Sequence, residues 1–146
     1  MRTKIPWDLA VAGFIKPQDG NGSTLETGAI DMHTYAAILC VLQLGVLNDS
    51  GTITGISVQE SATTMDGDFG AMSPQKRMSS KTGTDDNSTD QLVVYREDMS
   101  EGKRYLRLVF TCSAHSEMVA AAIIGILPPP GEREGARVGY VPQRLR

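Results

Sequence analysis

Apolar residues return at every second position in several stretches of this chain, and clusters of turn formers separate those stretches. Over 35–46, Ala36, Ile38, Cys40, Leu42, Leu44 and Val46 share one face at period two. The other face carries Ala37, Leu39 and Val41, then Gln43 and Gly45. A strand apolar on both faces is central in a sheet or covered on both sides. Asn48-Asp49-Ser50-Gly51 signals a turn, and Thr52–Ser61, rich in Thr, Ile and Val, reads as the next strand. In 103–112, Leu106, Leu108, Phe110 and Cys112 point to a core, while Tyr105, Arg107, Val109 and Thr111 alternate with them, Arg107 marking the outer face. Segments 29–33, 91–96 and 118–127 read as further strands, the last ended by Pro128-Pro129-Pro130-Gly131. Met65-Asp66-Gly67-Asp68-Phe69-Gly70 reads as a hairpin turn whose Asp-Gly pair supplies positive φ values. Residues 71–90 read as polar loop, with 81–90 its mobile part.

About six to eight strands with a turn every ten or so residues predict an all-β fold, an antiparallel β-sandwich that is jelly-roll-like. Helix is expected to stay below about one-sixth of it. The sandwich is assigned to residues 28–130, between extended N- and C-terminal arms at 1–27 and 131–146. The N-terminal arm holds Ile5, Trp7 and a dense run of turn formers from Lys16 to Ser23. The C-terminal arm holds Arg133, Arg137, Arg144 and Arg146 against Glu132 and Glu134, with Tyr140 and Val141 between them. A cap over the core and a solvated tail are the plainer readings of the two arms. As partner-binding segments, Ile5 and Trp7 are apolar anchors, Tyr140 a further apolar contact, and Arg133, Arg137, Arg144 and Arg146 donors to carboxylates.

Composition narrows the core. Hydrophobic residues make up 40% of the 146 but aromatics only 5%, so the interior must be aliphatic. The net charge of −3 generates no field for nucleic acid or for a membrane surface. Cys40 and Cys112 lie inside apolar runs and read as free, buried thiols, with a disulfide as the alternative. No apolar N-terminal leader and no stretch of spanning length is read, so the product is expected to begin life in a cytoplasm. His33 and His115 lack neighbouring partners and suit turns or surface. No nucleophile elbow, phosphate loop or metal-ligand spacing is found, and the chain is expected to need no cofactor and to be no enzyme. The aspartates at 66, 68, 85, 86 and 90 match no calcium loop and are expected to serve their own turns.

Ile56-Ser57-Val58-Gln59-Glu60-Ser61, followed by Asp66-Gly67-Asp68-Phe69, resembles a motif of small head proteins of tailed bacteriophages, in which such a strand runs into an Asp-Gly turn and an aromatic residue. Tyr95-Arg96, the strand containing Lys103, Arg104, Tyr105 and Arg107, and the Ala- and Ile-rich stretch 120–127 extend the likeness over about residues 28–130. The stretch 71–90 stands outside the pattern. The family is that of capsid decoration, or cement, proteins. The resemblance implies a jelly-roll-like sandwich on the virion exterior that binds the major capsid protein and carries no catalytic residues. It makes the major capsid protein an expected partner; the strand 35–46, apolar on both faces, and the prevalence of two-fold contacts add further copies of the chain, a dimer before a trimer, and the charge leaves neither nucleic acid nor membrane as a partner. A carbohydrate-binding, lectin-like jelly roll is the alternative, weakened by the shortage of aromatics for sugar platforms.

Overall fold

Wherever the sequence alternates, the backbone pairs, and segments that do not visibly alternate complete the sheets. The computed structural model describes residues 8–47, 50–115 and 117–129. In chain order the strands are β1 (Leu9–Asp19), β2 (Thr24–Glu26), β3 (Ile30–Asp31), β4 (Ala37–Leu47), β5 (Thr52–Ser61), β6 (Gly70–Arg77), β7 (Lys81–Thr82), β8 (Thr89–Tyr95), β9 (Tyr105–Cys112) and β10 (Glu117–Ile126). Helix amounts to 8%, below the expected ceiling.

Sheet I has the order β1-β10-β4-β8. Sheet II has the order β2-β9-β5-β6, with β3 continuing the β2 edge along β9 and β7 continuing the β6 edge along β5. Every pairing is antiparallel. The chain is therefore folded back on itself in nested pairs: β1 with β10, β2 and β3 with β9, β4 with β8, β5 with β6 and β7. This is the jelly-roll connectivity of an eight-position double sheet.

The interior is aliphatic, as composition requires. Ile38, Cys40, Leu42 and Leu44 from β4 and Val119, Ala121 and Ile123 from β10 meet Ile53, Ile56 and Val58 from β5 and Leu106, Leu108 and Phe110 from β9. Phe110 is the one fully buried aromatic among the described residues. At one end of the sandwich the Tyr35 ring lies against Gly125, where any Cβ would strike it.

Three expectations need correction. Residues 8–27 are not an arm: Leu9–Asp19 is an edge strand, and Thr24–Glu26 pairs with β9. An edge position tolerates Pro17, and register shifts between Val11 and Gly13 and between Ile15 and Gln18 absorb the turn formers. Residues 71–90 are not one long loop, because β6 and β7 occupy much of it. The 81–90 stretch is tied down: Lys81 pairs with Asp90 at 2.6 Å, and the Leu47 N–H donates to Asp86 at 2.6 Å. Val46 does not continue the inner row. Glu117 faces Leu47 while Val119 faces Leu44, so β4 carries an extra residue that turns Val46 outward and Leu47 inward.

Two ion pairs are expected to make the fold's stability fall in acid. The Arg104 guanidinium donates two hydrogen bonds to Asp31, at 3.0 and 2.7 Å. It holds that carboxyl below its ordinary value of 3.8. Lys81 does the same for Asp90. A carboxyl with a depressed folded-state pKa adds stability above the unfolded value and loses it as pH falls through the folded one. The urea midpoint is therefore expected to hold from neutral pH to about pH 4 and to drop below it. Asp31→Asn and Asp90→Asn should each flatten part of that drop. The effect is small and salt-sensitive because both pairs touch solvent.

A candidate assembly face on sheet I

The outer surfaces of the two sheets differ in chemistry. On sheet I the register lines up apolar side chains across all four strands. Leu9 lies beside Ile126, and Val11 beside Ile124, which in turn neighbours Leu39 and then Val93. The next row runs Phe14, Ala122, Val41 and Gln91. Val11 is 73% exposed and Phe14 66%, with Leu9, Val93, Tyr95 and Met118 also exposed. This is the second apolar face of β4 that the sequence shows, and β1 and β10 extend it. β4 is a central strand of sheet I, and among the described residues nothing covers that face.

The face is not flat. Small Ala120 and Ala122 floor a depression of about 260 Å³ between Phe14, Lys16 and Pro17 on one side and Val41 and Gln43 on the other. It adjoins a second depression of about 370 Å³, bounded by Met118, Gly45 and Asn87 and sharing Pro17, Gln43 and Ala120. Lys16 is the one charged residue in these two linings.

Sheet II turns polar side chains outward. Arg107 does lie on the outer face of β9, as its alternation predicts, yet it is only 8% exposed. The segment between β5 and β6 folds over it. Phe69 lays its ring 4.4 Å from the guanidinium, Asp66 pairs at 3.2 Å, Glu26 at 2.8 Å, and Gln59 accepts from Nε at 2.9 Å. The segment does link β5 to β6 as a hairpin, but residues 66–68 form a 3-10 turn within it and Gly67 has no positive φ. The aspartates are engaged within the fold: Asp66 holds Arg107, Asp68 accepts from Thr63, and Asp85 closes a capping box with Thr82. Among the described residues no three His, Cys, Asp or Glu converge as a metal cluster.

A groove of about 570 Å³ opens between β5 and the far end of β6, lined by Ser57, Gln75, Lys76, Arg77, Ser79 and Ser80 among others. Its lining offers hydroxyls and positive charge, with no carboxylate, histidine or cysteine. Cys40 and Cys112 are free and buried. Burial pushes the Cys40 thiol up to about 12. Burial, then the charges of Glu117 and Asp19, push Cys112 to about 11, so neither is poised as a thiolate. His33 and His115 are both exposed, His33 in the turn before β4, where its carbonyl accepts from Arg96. The exposed aromatics Phe14 and Tyr95 sit on opposite edge strands of sheet I, too far apart in the sheet to form one sugar platform. No helix among the described residues is long and apolar enough to cross a membrane.

The expected partner-binding residues Ile5, Trp7, Arg133, Arg137, Tyr140, Arg144 and Arg146 lie outside the described residues. Their points of departure are within them. The Leu127 N–H donates to the Asp8 carbonyl at 2.8 Å, so the described chain begins and ends side by side at one end of sheet I. Sequence reasoning missed Val11, Phe14, Val93 and Ile124 as a surface, because only the register of four separate strands gathers them. No family model, no curated protein and no solved structure matches the chain.

Proposed function

We propose that this chain is a virion structural protein that binds the outside of the major capsid protein shell and cements neighbouring subunits. The observation that carries the reading is the pairing of Leu127 with Asp8, which starts both arms from one corner of a rigid jelly roll. In the sequence, Ile5 and Trp7 precede that point, and four arginines follow it in 131–146. Two short arms leaving together can reach two subunits of a shell, and repetition over many equivalent sites makes weak contacts collectively strong. The four arginines suit carboxylates on the shell surface, where their planar forks bind in pairs. The protein is made in the host cytoplasm and acts on the capsid exterior.

Co-sedimentation with empty expanded heads tests this. The full chain should pellet with heads, less so as salt rises. Deleting residues 131–146 should leave the sandwich folded, since its last strand ends at Ile126. The same deletion should weaken head binding and flatten its salt dependence. Failure of the full chain to pellet with heads at low salt would sink the proposal.

A further inference from the structure

We propose that two copies of this chain pack sheet I against sheet I about a two-fold axis, each Phe14 seated in the alanine-floored groove of its partner. The proposal names the occupant of the face that the shell-protein reading leaves open, and it rests on that reading only for its setting. A two-fold contact must be self-complementary, so the protruding part and its receptacle must both lie on one face of one chain. Sheet I meets that condition. Phe14 stands out from β1 at 66% exposure, and the groove beside it, about 260 Å³, has room for a phenyl ring between Val41 and Pro17.

Size agrees with a pair of copies. Four strands about 4.8 Å apart, with outward side chains spread over roughly 27 Å of strand, give a footprint on the order of 500 Å². Twice that reaches about 1,000 Å², the lower bound of a specific interface. Charge agrees as well. The chain is acidic overall, at −3, but neither depression on this face is lined by a carboxylate, so a partner's Phe14 can enter without meeting an acid. Lys16 lines the groove from the β1 edge and can keep its ammonium in water. A sheet face accepts one stacked sheet, about 10 Å away, so association stops at two.

Sedimentation equilibrium of the full chain from about 1 to 100 μM tests the contact. A monomer–dimer equilibrium is expected. Phe14→Ala removes two insertions per dimer and should raise the dissociation constant on the order of 100-fold. Ala122→Arg should block the groove to a similar degree, while Gln75→Arg on sheet II should change nothing. Phe14 is exposed, so its variant should keep the parent's thermal melt at concentrations where both are monomeric, and it stays informative if Ala122→Arg misfolds. Three results would overturn the proposal: a monomer throughout the range, a trimer, or a dimer indifferent to Phe14→Ala. A full chain that stays monomeric while one lacking residues 1–7 or 131–146 dimerises would also overturn it, by making that segment the occupant. Head co-sedimentation is scored apart. A monomer that decorates heads would refute this contact alone, and a dimer that ignores heads would refute the shell reading alone.

Discussion

Phe110→Ala is expected to lower the unfolding free energy by about 3–5 kcal/mol, the range for deleting a fully buried phenylalanine. Phe110 is completely buried at an inner position of β9, the strand that bonds to β2, β3 and β5. Its neighbours in the core are aliphatic side chains and thiols held in sheet ladders, and these cannot collapse into the space left by a ring. Domains of this kind are stable by only about 5–15 kcal/mol, so the variant should lose a third or more of its margin. Urea unfolding should show a lower midpoint at an unchanged slope. A loss below about 1 kcal/mol would mean that the ring is not in the core.

Arg107→Met is expected to destabilise by about 2–3 kcal/mol, less than a fully buried charge pair would suggest. Arginine itself is nearly buried, but its carboxylate partners are not: the side chains of Asp66 and Glu26 are 85% and 36% exposed. Both can return to water when the guanidinium is removed. What disappears is the hydrogen bond to Gln59, the stacking on Phe69 and two partly screened ion pairs. Methionine keeps most of the stem's volume, so the loss isolates the charge. Arg107→Lys should recover only part of it, because an ammonium cannot fork toward Gln59 and both acids. Amide exchange in residues 62–69 should accelerate in Arg107→Met more than anywhere else, since the segment is held down there. Uniform acceleration would assign Arg107 to global stability instead of to this latch.

Residues 52–61 show what was legible in the sequence. The β-branched run and its flanking turns predict Thr52–Ser61, the bounds that β5 has. The inner row of β9 was equally plain, because its alternation is local. β1 was hidden by Lys16-Pro17-Gln18-Asp19, residues that punctuate a chain but that a bulged edge strand accommodates. β6 was hidden because an edge strand with one buried side chain, Met72, has no alternation to show. The burial of Arg107 depends on a segment about forty positions earlier, so its own surroundings gave no sign of it. The candidate face was half legible. The two-faced apolarity of β4 was visible, but its extension depended on which strands would flank it, and β10 and β1 come from the far ends of the chain.

The nesting of the strands also fixes an order of events during synthesis. Among the described strands β1 bonds only to β10, and Ile126, which faces Leu9, is added about 117 residues after it. At about 5–20 residues per second the ribosome needs roughly 6–23 s to deliver that partner. Through that interval β1 has no neighbour in its sheet, and the β4 edge that β10 will occupy stays open to other chains. Sheet II can assemble as far as β5 with β6 and β7 while translation continues, but the roll closes only near release. Slow, non-local closure of this kind favours a cool expression temperature and a low rate of initiation when the chain is produced in quantity.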